Sequence, residues 1–267
     1  MFERILIAGY GTMTGAMVDG WLRSGIPAST FTGHGPRAKD VPAGMAFVTE
    51  VPAGPFDAIV LGFKPHMLAD AAPPLEPLAG PGTTVVSVLA GVDLATLGRA
   101  FPRAGAVVRL MPNLACAIGR SPNALVGKGL DGPVREAVTD LATRLGTAEW
   151  LPDESQFELV TALAGSGPGF VYRFIDALAA GATRLGLEPA QAQRLAVAMV
   201  DGAGALAAAS PHSPGELARR VASPGGMTQK GLDVLDEGEA LTRLVCETLR
   251  AARDRGRQMA GEARGEG

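Results

Sequence analysis

Two stretches of this chain combine glycines and small polar residues in a spacing that suits anion binding. The first, Gly9-Tyr10-Gly11-Thr12-Met13-Thr14-Gly15-Ala16, follows the apolar run 5–8 directly and leads into a helical pattern that ends near Gly25. Strand, glycine turn and helix start together make a dinucleotide-binding turn. Gly9 permits the tight turn, Gly11 lets the backbone approach a diphosphate, and Tyr10, Thr12 and Met13 lie where the helix start offers unpaired N–H groups and a partial positive charge. Thr14 stands at the third glycine position of G-x-G-x-x-G, so its bulk must be fitted where helix and strand pack closely. The second stretch is Ala222-Ser223-Pro224-Gly225-Gly226-Met227-Thr228, which opens a helix. Gly225, Gly226, Met227 and Thr228 can all present backbone donors there, and the Thr228 hydroxyl adds a neutral one, a set that suits a carboxylate. Ala164-Gly165-Ser166-Gly167-Pro168 is a similar helix opening. Taken singly, each of these two turns also reads as an ordinary helix cap.

Cofactor choice is written about 20 residues past the first turn, where an NAD site usually has Asp or Glu for the ribose hydroxyls. This chain reads Phe31-Thr32-Gly33-His34-Gly35-Pro36-Arg37-Ala38-Lys39, with no carboxylate to repel a 2′-phosphate. Thr32, His34 and Arg37 could bond that phosphate, so NADP(H) is preferred and NAD(H) is possible. The alternative is that Arg37 and Lys39 merely solvate a loop. Other candidates follow apolar runs whose carboxyl ends would face a ligand crevice: Phe63, Lys64 and Pro65 after residues 58–61, Ala90 after 84–88, and Asn113 after 107–111. Asn113 could orient the nicotinamide or the substrate, or serve only as a turn residue.

The elements that must position these residues change character along the chain. Short β-rich runs at 5–8, 31–32, 45–48, 58–61, 84–88, 107–111, 124–126 and 149–151 alternate with helical or turn segments, which predicts an α/β domain with a doubly wound, mostly parallel sheet. The crossover after the second strand is interrupted by Pro36 and Pro42 and must be short. From about Gln156 onward the sequence becomes Ala/Leu-rich over 169–185, 190–209, 214–221, 227–237 and 240–259, which predicts an all-helical C-terminal domain, with Pro168 and Pro189 in first turns. Leu151-Pro152-Asp153 is the expected linker, giving a dinucleotide-binding domain over 1–152 and a helical substrate-binding and dimerisation domain over 153–267. The tail after Ala260 is expected to be disordered.

Composition narrows the function classes. A chain of 267 residues, 47% hydrophobic, can bury a large core, and 24 basic against 27 acidic residues leave a net charge of −3 with no run of one sign to meet nucleic acid or a membrane. Two separated cysteines and three scattered histidines give no metal-ligand spacing, so no metal is expected and both cysteines read as reduced packing residues. Without an evident signal peptide or spanning segment, a cytoplasmic enzyme acting on a small molecule is expected. Alanine-rich helices bury little apolar area per turn and gain most from extensive close packing, which points to a homodimer or larger homo-oligomer built through the C-terminal helices.

In order and spacing the chain resembles pyrroline-5-carboxylate reductase over essentially its whole length. The resemblance rests on Gly9-Tyr10-Gly11-Thr12-Met13, Phe63-Lys64-Pro65, Leu89-Ala90-Gly91-Val92, Arg109-Leu110-Met111-Pro112-Asn113, Gly165-Ser166-Gly167-Pro168, Phe174-Ile175-Asp176-Ala177-Leu178 and, most diagnostic, Ser223-Pro224-Gly225-Gly226-Met227-Thr228. It implies a Rossmann-type domain, helices that interlock with a second subunit, NAD(P)H as hydride donor and 1-pyrroline-5-carboxylate, a cyclic imino acid, as acceptor, reduced to proline. It also implies Thr228 near the imine nitrogen as the catalytic residue, Gly225 and Gly226 on the substrate carboxylate, and Ser166, Gly167 and Met227 in the same pocket. The chain departs from the usual pattern at Thr14, Leu114-Ala115, Ala164 and Met227, which leaves a reductase of another cyclic imine as the alternative. A β-hydroxyacid dehydrogenase would carry a lysine on the helix after Gly165–Pro168, where this chain has Gly169-Phe170-Val171-Tyr172-Arg173. A non-catalytic NADP-binding sensor is the alternative from a different class.

Overall fold

The structure, a computed structural model, describes residues 2–264. The chain runs β1 (Ile5–Ala8), α1 (Thr12–Arg23), β2 (Phe31–His34), β3 (Ala46–Val48), β4 (Ala58–Leu61), α2 (Leu68–Leu75), β5 (Thr84–Ser87), α3 (Leu94–Ala100), β6 (Ala106–Met111), β7 (Ser121–Lys128), α4 (Gly132–Thr143) and β8 (Gly146–Trp150). It continues through α5 (Phe157–Val160), a π-helical turn at Thr161–Gly165, α6 (Gly167–Arg184), α7 (Pro189–Ala209), α8 (Pro214–Val221), α9 (Met227–Asp236) and α10 (Ala240–Arg264). Two compact units result. One holds the chain to Ser166 together with α10 from Ala251 on, and the other is Gly167–Arg250.

In the first unit eight strands form one sheet in the order β3-β2-β1-β4-β5-β6-β7-β8. All neighbours are parallel except β6 and β7. Every residue of β1 and β4 is buried, because helices cover both faces. The two-residue period of a strand then divides its side chains between two cores. Leu6, Ala8, Ile59 and Leu61 pack with α2 and α3, whereas Ile5, Ile7, Ala58 and Val60 pack with α1 and α4. Trp21 anchors the second core: it stacks on Phe31 at 5.3 Å between ring centroids, and its Nε1 donates to the Leu141 carbonyl at 2.9 Å.

Several elements differ from the sequence expectation. Strand β7 begins at Ser121 rather than near Ala124, even though it includes Pro122. Its pairing with β6 stops at Ala124, so Pro122 lies beyond that ladder and removes no bond from it. Phe157 is buried in the core shared by β1 and β4, and the contacts of the first unit run on through Ser166. Helix α10 extends through Arg264, past the point where disorder was expected. The bare Gly91 backbone accepts it, since a Cβ there would sit 3.1 Å from the Ala260 amide nitrogen. Residues 265–267, the rest of that expected tail, lie outside the described residues. Cys116 is buried as a packing residue, but Cys246 is exposed on α10.

The helical unit has little interior of its own. Helices α6 and α7 pack together, yet only Ala192 and Ala196 of the unit are buried. Tyr172, Leu185, Leu195 and Leu206 are among the apolar side chains left exposed.

The load on Trp21 can be tested by chemical denaturation followed by circular dichroism. Trp21→Ala is expected to lower unfolding stability by about 3–5 kcal/mol, the range for emptying a large aromatic site.

Candidate active site

The glycine turn between β1 and α1 sits among the carboxyl ends of the central strands. Gly9 has φ +91°, and a Cβ there would come within 2.5 Å of the Phe63 amide nitrogen, so glycine is required both by conformation and by space. The Gly9 amide donates to the His34 carbonyl at 2.9 Å, and the Gly62 amide donates to the Ala8 carbonyl at 2.8 Å. Residues predicted from three separate stretches, Gly9, His34 and Phe63, are thereby brought together where a doubly wound sheet reverses strand order.

Thr14 fits through a compensation that was not apparent in the sequence. Its Oγ1 accepts the Gly11 amide at 2.9 Å and donates to the Gly9 carbonyl at 2.9 Å, closing the turn on itself. Its methyl group lies over Gly62, where a Cβ would be 2.1 Å from Thr14 Cγ2. The space normally left by the third glycine of the turn is therefore provided from β4. Gly62 was readable as the residue ending the β4 run, but its partner across the sheet was not.

The turn fits the diphosphate of a dinucleotide. A Cβ on Gly11 would meet nothing within 4 Å, which leaves open space over the helix start. The amides of Thr12 and Met13 have no intrahelical acceptor. Lys39, from the loop after β2, donates from Nζ to the Tyr10 carbonyl and so brings a positive charge onto the turn. Arg37 is exposed on the same loop. Tyr10 is braced edge-on by Phe47 at 6.4 Å. His34 is half-buried, and that burial lowers its pKa, so near neutral pH it offers one N–H rather than a charge. Thr32 is half-buried on the same strand.

Farther along the strand ends, Phe63 packs against the core, while Lys64 is exposed and its carbonyl accepts the Met67 amide at 2.9 Å. Pro65 opens that short turn, and Ala90 is half-buried after β5. Asn113 is buried and tied to backbone: Oδ1 accepts the Ala115 amide, and Nδ2 donates to the Ala164 carbonyl, both at 2.9 Å. Its side chain thus caps the turn that follows β6. Two residues beyond Ala164, the Ser166 amide donates to the Thr161 carbonyl at 2.9 Å and closes the π-helical turn.

In the helical unit, Gly225 has φ +71° and the Gly226 amide donates to the Ser223 carbonyl at 2.9 Å, which aims the chain into α9. Gly226 is the N-cap of α9 and supplies no side-chain cap, so the first amides, those of Met227 and Thr228, have no partner within the helix. Both residues are exposed, Met227 at 94%. Gly167 begins α6. Among the described residues, no group of three or more His, Cys, Asp or Glu side chains could hold a metal, and no helix is long and apolar enough to cross a membrane.

A doubly wound sheet with a glycine turn at its switch point, followed by a helical unit, defines a Rossmann-type dinucleotide-binding protein. Residues 154–259 match the family described as pyrroline-5-carboxylate reductase dimerisation. The pyrroline-5-carboxylate reductase of Pseudomonas aeruginosa is 31% identical over 265 residues, covering 96% of this chain and 97% of that one. Among solved structures, the pyrroline-5-carboxylate reductase of Coxiella burnetii has a TM-score of 0.88 at 25% identity, covering 97% and 98% of the two chains. The Plasmodium falciparum pyrroline carboxylate reductase, solved with NADP bound, shares the fold at a TM-score of 0.80 and 21% identity over 96% of this chain and 98% of its own. The chain belongs to the pyrroline-5-carboxylate reductase family.

Gly62→Ala is expected to lower stability by about 1–3 kcal/mol through overpacking and to weaken NADPH binding. Thr14→Ser, which removes the crowded methyl group, should recover part of both losses in the double variant. Melting curves and cofactor titrations of the single and double variants provide the check, and equal losses in the two would remove Thr14 as the source of the clash.

Proposed function

We propose that this chain reduces 1-pyrroline-5-carboxylate to proline, with NADPH as the preferred hydride donor and NADH as a second one. The observation that carries the reading is the pair of helix starts with available backbone amides, Gly11–Met13 at α1 and Gly226–Thr228 at α9. Residues 1–152 hold the dinucleotide, and residues 153–267 hold the substrate and pair with a second copy. The family relationship, the dimerisation match and the exposed apolar residues of the helical unit support this division. The setting is cytoplasmic.

Bound over the first turn, a nicotinamide dinucleotide supplies the hydride. The Thr12 and Met13 amides would hold its diphosphate at the Gly9–Gly11 turn, and Thr32, His34 and Arg37 would hold a 2′-phosphate. Phe63, Lys64, Pro65, Ala90 and Asn113, at the strand ends, would bind the rest of it. The Gly225 and Gly226 backbone would grip the substrate carboxylate beside Met227, the Thr228 hydroxyl would bond the imine nitrogen, and the family resemblance assigns Ser166 and Gly167 to the substrate as well. Hydride addition to the imine carbon, with a solvent proton taken up at nitrogen, gives the secondary amine. An imine protonates readily near neutral pH, so the protein needs to orient C=N and hydrogen-bond its nitrogen rather than supply a dedicated acid. The departures at Met227, Ala164 and Leu114-Ala115 favour one second reading, reduction of a different cyclic imine.

NADPH oxidation with 1-pyrroline-5-carboxylate, run beside a six-membered cyclic imino acid, tests the function. Turnover of neither would leave a cofactor-binding protein without this activity. Thr228→Ala is expected to lower kcat/KM by about 5- to 150-fold, equivalent to about 1–3 kcal/mol for a lost hydrogen bond to the reacting group. Wild-type kinetics would remove Thr228 from the reaction. Arg37→Ala should raise KM for NADPH by about 3- to 10-fold while leaving KM for NADH near the wild-type value. Equal effects on the two would detach Arg37 from the 2′-phosphate.

A further inference from the structure

Arg109 is the only buried charged side chain among the described residues, at 2% exposure on β6. Its guanidinium forks to two carboxylates, Nη1 to Glu154 Oε1 at 2.8 Å and Nη2 to Glu158 Oε1 at 3.0 Å. Its Cζ lies 3.8 Å from the centre of the Phe157 ring. Nε has no hydrogen-bond partner among the described residues. Glu154 and Glu158 flank the start of α5, which leads through the π-helical turn at Thr161–Gly165 to Ser166. The same strand end grips the other end of this segment: Asn113 Nδ2 holds the Ala164 carbonyl, and a Cβ on Gly165 would be 3.4 Å from Met111 Cγ.

A buried ion pair contributes little net stability, because the desolvation of its charges offsets their attraction, and an unpaired guanidinium nitrogen adds to that cost. A π-helical turn is a rare conformation that persists where its surroundings hold it, often at functional sites. Both observations fit a clamp whose product is a fixed position. We propose that Arg109 is a positioning residue for the substrate: through Glu154 and Glu158 it sets the π-helical turn, and thereby the backbone at Ser166-Gly167. This rests on the substrate-binding reading of Ser166 and Gly167 given above.

The experiment uses the full-length enzyme and measures steady-state kinetics, NADPH affinity by fluorescence titration, and melting temperature. Wild-type turnover of 1-pyrroline-5-carboxylate is measured first. Its absence removes the substrate reading, and this proposal with it, whereas wild-type turnover with unaltered variants removes only the proposal. Glu158→Ala is expected to raise KM for the imine about tenfold, with kcat and the NADPH dissociation constant within about twofold of wild type. Glu158→Gln, which keeps an acceptor for Nη2, is expected to recover most of the imine KM. A lower melting temperature with unchanged imine KM would reduce Arg109 to a structural brace, and an equal loss of NADPH affinity would also overturn the assignment. Should Glu158→Ala not fold, Arg109→Lys, which cannot fork to both carboxylates, decides the matter: its imine KM rises about threefold or more, or the proposal falls.

Discussion

The first unit depends on a close approach of two backbones, the turn that leaves β1 and the turn that leaves β4. Gly9 and Gly62 face each other there, and a Cβ on Gly62 would lie 2.9 Å from the Gly9 carbonyl oxygen. With no side chain between them, the α1 helix start comes down onto the strand ends at the point where the sheet reverses its winding. Gly11, at that helix start, borders open space, since a Cβ on it would meet nothing within 4 Å. Thr14 completes the constraint by satisfying the Gly11 amide and the Gly9 carbonyl with one hydroxyl. The turn therefore has an internal lock as well as an opening for a ligand.

Charge is deployed differently on the two sides of this unit. At the turn, Lys39 is exposed and donates to the Tyr10 carbonyl, so its charge can act on a ligand. Beneath β6, Arg109 is enclosed and matched by two carboxylates and an aromatic face, so its charge acts on the protein. The same side-chain class thus serves recognition where water reaches it and placement where water does not.

The helical unit obeys a third constraint. Residues 189–209 are so rich in alanine that α7 can approach α6 closely but buries little apolar area in doing so. Large apolar groups such as Leu185, Leu195 and Leu206 remain outside that contact. A surface of this kind is stabilised by another surface of similar shape, in keeping with the dimerisation match over residues 154–259.

Much of the architecture was legible in the residues alone, for reasons of periodicity. Fully buried strands read as short apolar runs, and β1 and β4 fell on the residues expected; α6 and α7 carry proline in their first turns, and Gly186 follows the end of α6. The glycine turns were legible because a positive φ at Gly9 and Gly225 excludes most side chains, whatever the rest of the fold does. Strand β7 was harder to bound, since Pro122 is admissible only because β6 has already ended its pairing there, a fact of register. The contribution of Gly62 to accommodating Thr14, the approach of Lys39 to the turn, and the closure of Arg109 on Glu154 and Glu158 were not legible at all. Local sequence determined which backbone could bend, extend or coil, because those preferences belong to single residues and their near neighbours. Only the tertiary structure decided which side chains share a volume or a charge, because those pairings join residues 25 to 50 positions apart that no local pattern connects.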